Sequence, residues 1–124
     1  MSVAWVIDDD DEMRQAIKLM LKLLDFEVNV YRDAPTASRD LLDGKIPDVL
    51  ILDIMMPAVS GIDMLEFMRT RNELKIVPVV MLSSETADVQ VDEAMGFGAD
   101  AFVFKPVTLE ELETAIKSAI QAHT

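Results

Sequence analysis

The sequence predicts a doubly wound α/β domain, a (βα)5 three-layer sandwich built on a parallel sheet of strand order 2-1-3-4-5. Three observations predict it. Short apolar runs of strand length alternate five times with stretches of helical spacing. The first and third of those runs are nearly continuously apolar, as befits strands covered on both faces. The first, third and fifth runs each stop at a charge, at Asp8-Asp9, Asp53 and Lys105-Pro106. With right-handed crossovers, this order sets strands 1 and 3 side by side at the switch point, where open α/β sheets build ligand sites.

The elements follow in order. The first strand is Val3 to Ile7, ending in Asp8-Asp9, and the first helix carries an apolar stripe of Met13, Ile17, Met20, Leu21 and Leu24 at steps of three and four. The second strand, Glu27 to Tyr31, sets Phe26, Val28 and Val30 against Glu27, Asn29 and Tyr31, the alternation of a half-covered edge strand. A helix over Ala34 to Asp43 is closed by Gly44. The third strand, Val49 to Leu52, ends in Asp53, and a helix over Gly61 to Asn72 follows. Val77 to Leu82 forms the fourth strand, with Ser83 after it, and Ala87 to Phe97 the fourth helix, closed by Gly98. The fifth strand is Ala101 to Phe104, and the last helix, with Leu109, Leu112, Ile116 and Ala119 on one face, runs almost to Thr124.

A chain of 124 residues, 51% hydrophobic and 27% charged, has the size and balance of one globular domain, so residues 1–124 are expected to form a single unit. It has no cysteine, which excludes disulfides, thiol catalysis and thiolate metal sites and favours the cytoplasm. There is no signal-like segment before Val3 and no apolar run near the length of a membrane span. A net charge of -12 opposes nonspecific binding to a polyanion, so direct nucleic-acid binding is not expected.

The strand-end carboxylates carry the chemistry. Two unit charges about 4 Å apart repel by roughly 4 kcal/mol at an effective dielectric of 20, so Asp8, Asp9 and Asp53 brought together require a cation. Hard oxygen ligands without His or Cys suit Mg²⁺, with Mn²⁺ the alternative. Asp10, Asp11 and Glu12 read instead as a cap and first-turn acids of the first helix. A calcium loop of the EF-hand type is disfavoured, because its glycine and terminal glutamate are missing at the required spacings.

Asp8-Asp9, Asp53 with Met56-Pro57 and Gly61, Ser83, and Lys105-Pro106 recur after strands 1, 3, 4 and 5. Together this set resembles the signature of two-component response-regulator receiver domains, a flavodoxin-like fold, across essentially the whole chain. The resemblance implies that Asp53 is the phosphoacceptor and that Asp9, Asp53 and the Met55 backbone carbonyl bind the metal. It further implies that Asp8 acts through water and that Lys105, preceding a cis Pro106, pairs with the phosphoryl oxygens. It implies a phosphohistidine donor, on a sensor histidine kinase or a histidine phosphotransfer protein. The output would be a downstream effector or a fused output domain, or a phosphorylation-dependent dimer, reached through the fourth helix, fifth strand and fifth helix.

By the same resemblance Ser83 and Phe102 form the switch. On residues alone, Ser83 reads equally as a turn serine and Phe102 as a packing residue. The resemblance further implies that Met55 and Glu85 occupy the two positions that flank the attacking water and tune hydrolysis; Met55 cannot orient a water whereas Glu85 has the carboxylate to do so, and slow to intermediate hydrolysis is expected. Arg14, Lys18 and Lys22 on the first helix are candidate surface residues for kinase choice, and His123 reads as an exposed terminal histidine.

Three other readings compete. A phosphatase of the haloacid-dehalogenase type needs an acid two residues after its nucleophile, where this chain has Met55. A flavodoxin-type FMN binder needs a phosphate-cradling loop where Asp8 to Asp11 would repel it. A non-phosphorylated pseudo-receiver that serves only as an interaction module would ordinarily have lost part of the set that is intact here.

Overall fold

The protein is described by a computed structural model covering residues 2–84 and 88–123, with side chains described for all of these except 88–90. Five parallel strands, β1 (Val3–Ile7), β2 (Glu27–Tyr31), β3 (Val49–Asp53), β4 (Val79–Ser83) and β5 (Ala101–Phe104), form one sheet in the order β2-β1-β3-β4-β5. They alternate with α1 (Asp11–Leu23), α2 (Ala34–Leu42), α3 (Gly61–Arg69), α4 (Asp88–Gly96) and α5 (Leu109–Gln121). This is the doubly wound, flavodoxin-like sandwich that the alternating periodicities predict.

Successive strand residues face opposite sides, and the core divides accordingly. Ala4, Val6, Val49, Ile51, Val80, Leu82 and Val103 pack with α1 and α5, while Trp5, Ile7, Leu50, Leu52, Val79 and Met81 pack with α2, α3 and α4. The three central strands are therefore covered on both faces, which is why their sequences are continuously apolar. Each fully buried Leu or Ile contributes about 1.5–3 kcal/mol.

Local signals set the helix boundaries. The side chains of Asp10, Asp33, Ser60 and Thr108 each accept a backbone N–H from the first turn of the helix they precede, and Ser60 with Asp63 completes a reciprocal capping box. Gly44 and Gly98, which follow α2 and α4, have φ of +94° and +98°, the left-handed region open to glycine.

Boundaries of α3, β3 and β4 differ from the expectation. α3 stops at Arg69 rather than Asn72, because Leu74 and Val77 in the following turns are themselves buried and pull the chain out of the helix. β4 starts at Val79, after Pro78, and reaches Ser83; β3 includes Asp53. The second strand also departs from the expected alternation in burial. Val30 is 37% exposed, whereas Tyr31 is half-buried, its ring 4.7 Å from that of Trp5 and its hydroxyl donating to Asp40. Tyr31 faces the same side as Trp5 and Ile7, opposite to Val28, so the period of two holds in direction, and the cross-strand aromatic contact rather than Val30 covers the edge. The expected start of the fourth helix at Ala87 and the chain end at Thr124 lie outside the described residues.

Candidate functional site

Parallel pairing in register brings the strand ends to one edge. Ile7 lies opposite Leu52, Asp53 opposite Leu82, and Ser83 opposite Phe104, so Asp8, Asp53, Ser83 and Lys105 follow from the ends of adjacent strands. Three of the four are buried: Asp8, Asp53, only 3% exposed, and Ser83. Asp9, next along the chain, is exposed.

The Lys105 ammonium sits between two carboxylates, 3.1 Å from Asp8 Oδ2 and 3.1 Å from Asp53 Oδ1. Asp8 Oδ1 accepts the Asp10 N–H at 2.9 Å. Carboxylate oxygens of Asp8, Asp9 and Asp53 all come within 4.8 Å of one another. One ammonium cannot neutralise three carboxylates, and the electrostatics record the excess. Burial raises the Asp53 pKa to about 6, the Asp8 and Asp9 charges push the same way, and Lys105 only partly opposes them. Burial works against the Lys105 ammonium, yet Asp53 and Asp8 outweigh it and hold its pKa above the usual lysine range.

Backbone contacts fix these side chains. The Ile54 N–H donates to Leu82 at 3.1 Å and the Lys105 N–H to Ser83 at 2.8 Å, so the ladders continue one residue past the charged ends. The Lys105–Pro106 peptide is cis, as the resemblance implied. The N-terminus of α3 closes on the loop through Gly61, whose N–H donates to the Ile54 carbonyl at 2.9 Å. A Cβ at Gly61 would lie 2.0 Å from the Asp53 carbonyl oxygen, so the backbone approach that holds Asp53 admits only glycine.

The remaining candidates divide. Phe102 is half-buried against the α2–α4 side of the core, and its ring lies 5.1 Å from that of exposed Phe104. Met55 follows Asp53 by two residues with its side chain 61% exposed. Glu85 lies outside the described residues. His123 is at the opposite end of the sheet, its Nε2 2.9 Å from Asp100 Oδ2, so the terminal histidine is tied down rather than loose. Lys22 is exposed and Lys18 half-buried, but Arg14 departs from the surface reading: it is buried, because its guanidinium turns back along α1 to the Asp8 carbonyl. That contact went unseen in the sequence. Its only signal was an arginine one turn into a helix that opens with aspartates, since helical side chains lean toward the N-terminus. Gly61 was visible, but not the reason for it.

The donor set is three carboxylates with neither His nor Cys among them, which fits a hard divalent cation such as Mg²⁺. A buried carboxylate beside an ammonium and two further carboxylates that could hold a metal is suited to act as an oxygen nucleophile toward a phosphoryl group.

Residues 4–117 match the family described as response regulator receiver domain. The chain is 33% identical over 116 residues to the chemotaxis protein CheY of Pseudomonas aeruginosa, covering 94% of each chain. It is 34% identical over 121 residues to the transcriptional regulatory protein CpxR of Escherichia coli, covering 98% of this chain and 50% of that one. The chain thus spans about half the length of several relatives and nearly all of another. Among solved structures, a response regulator receiver domain protein from Clostridium thermocellum superposes with a TM-score of 0.88 at 29% identity, covering 98% of this chain and 96% of that one.

Proposed function

The chain belongs to the response regulator receiver domain family, and on that premise we propose that Asp53 accepts a phosphoryl group from a phosphohistidine of a sensor histidine kinase or a histidine phosphotransfer protein. Receiver domains are signalling domains that sensor kinases phosphorylate and that act on downstream effectors; they do not turn over a free substrate as an enzyme does. The observation that carries the reading is the position of Asp53. It is a buried carboxylate, 3.1 Å from the Lys105 ammonium and within the same 4.8 Å cluster as Asp8 and Asp9.

The proposed step forms an O–P bond from an Asp53 carboxylate oxygen and breaks the N–P bond of the phosphoimidazole, whose electron pair returns to the ring nitrogen. Lys105 neutralises charge on the phosphoryl oxygens. Asp9, Asp53 and the Met55 carbonyl would hold Mg²⁺ or Mn²⁺, with Asp8 acting through water, and the ion would supply further charge neutralisation. The Ser83 hydroxyl then follows the phosphoryl group, and Phe102 moves inward into the space vacated.

Lacking a hydroxyl, Phe102 shifts a population without a hydrogen-bonded lock. The readout is the α4-β5-α5 face, presented to an effector, a fused output domain or a second copy. Residues 1–124 act as one receiver unit in the cytoplasm, and the net charge of -12 keeps this unit itself off nucleic acid. Met55 gives no support to an attacking water, and with Glu85 as the other tuning position the acyl phosphate hydrolyses slowly to moderately. Among the described residues no helix is long and apolar enough to cross a membrane.

The test is incubation with Mg²⁺ and acetyl phosphate, followed by intact mass. One added phosphoryl group that requires the metal and is absent from Asp53→Asn is the expected outcome; an adduct persisting in that variant would refute the assignment.

A further inference from the structure

We infer that Arg14 is a positioning residue for the carboxylate cluster, a guanidinium clasp that holds the Asp8–Asp11 run so that Asp8 and Asp9 converge on Asp53. Arg14 is only 7% exposed, although it lies in the first half of a surface helix. Its Nη1 donates to the Asp8 backbone carbonyl at 2.9 Å, and its Nη2 pairs with the Asp11 carboxylate. One side chain thereby bridges the first and last residues of the four-aspartate run.

The rest of Asp8 is fixed from other directions. Its N–H donates to the Tyr31 carbonyl at 3.1 Å, and its Oδ1 accepts the Asp10 N–H at 2.9 Å. With the backbone held at both the N–H and the carbonyl, Oδ2 is aimed at Lys105, 3.1 Å away, and Asp9 leaves the strand in a set direction. Without the clasp, mutual repulsion among Asp8, Asp9, Asp10 and Asp11 favours a splayed loop. A guanidinium suits the task, because its planar fork reaches a carbonyl and a carboxylate at once and stays charged at any working pH, whereas an ammonium is a single point.

The inference rests on the metal site proposed above, and calorimetric titration of Mg²⁺ into the full chain tests it separately from phosphorylation. Arg14→Lys keeps the charge but not the fork; Arg14→Met removes both. Positioning predicts that both variants bind Mg²⁺ roughly tenfold more weakly than wild type, at a temperature where circular dichroism shows them folded. A purely electrostatic neighbour predicts the opposite: Arg14→Lys unchanged and Arg14→Met tighter, because a cation near a cation site has been removed. That pattern would overturn the inference. Arg14→Lys carries the test by itself should Arg14→Met fail to fold. A wild type that binds no Mg²⁺ would overturn the metal-site reading and this inference with it; a wild type that binds beside unaltered variants would overturn the inference alone.

Discussion

The two edges of the sheet hold similar residue types in opposite states of balance. At the amino-terminal edge, Arg69 donates to the Gly98, Lys75 and Val77 carbonyls and, at 2.9 Å, to Asp100. The same Asp100 oxygen accepts the Val79 N–H at 2.8 Å and meets His123 at 2.9 Å. Partial burial lowers the Arg69 pKa while Asp100 opposes that shift, so the pair is a matched, half-buried ion pair that ties α3 and β4 to the segments just before β5 and just after α5. At the carboxyl edge, three carboxylates share one lysine and the Asp53 pKa rises to about 6. A balanced network has nothing left to bind and serves the fold. An unbalanced one stores unfavourable energy that a bound cation can release.

Breaking each edge should separate the two roles. The largest effect is expected from Asp100→Ala, which leaves the Arg69 guanidinium half-buried without its carboxylate. The three carbonyls it keeps hold the loss to the low end for a broken buried pair, about 3 kcal/mol by urea denaturation, with Mg²⁺ affinity unchanged. Next in size, Mg²⁺ at a hundred times its dissociation constant should stabilise the wild type by about 2.7 kcal/mol, and Asp9→Asn should abolish most of that gain in thermal melts.

Third is the pH dependence of Asp53. A raised carboxyl pKa means that the folded state binds the proton more tightly than the unfolded chain. The stability Asp53 contributes is therefore present below its unfolded value of 3.8 and is lost as pH rises through about 6. In chelator, Asp53→Asn should exceed wild type by on the order of 2 kcal/mol at about pH 7.5, with the gap closing toward about pH 4. A constant gap across that range would contradict the burial of an ionised Asp53. The smallest effect belongs to His123→Ala, about 0.5 kcal/mol, because Asp100 keeps its other two donors.

The carboxyl edge was the more legible of the two. Asp8, Asp9, Asp53, Ser83 and Lys105 each end or follow an apolar run, and a parallel sheet can only bring such ends together. The amino-terminal edge gave no comparable signal, since Arg69, Asp100 and His123 lie in three separate segments of the chain and share no pattern. Arg14 departs from the surface reading for a different, local reason. A helical arginine among exposed neighbours looks like surface, and the turn from β1 into α1 leaves the Asp8 carbonyl within reach of a guanidinium that leans back along its own helix.

The alternation of strands and helices, the coverage of the central strands and the residues at the carboxyl edge are all written in the residue order, because hydrophobic periodicity and strand-end position are local properties of the chain. Packing between remote segments was needed to settle where α3 ends, that Tyr31 rather than Val30 covers the edge of the sheet, that Gly61 must yield to the Asp53 carbonyl, and that half-buried Arg69 meets Asp100. These depend on which distant backbone arrives beside each side chain, and distances between remote segments are set by packing rather than by any neighbour in sequence.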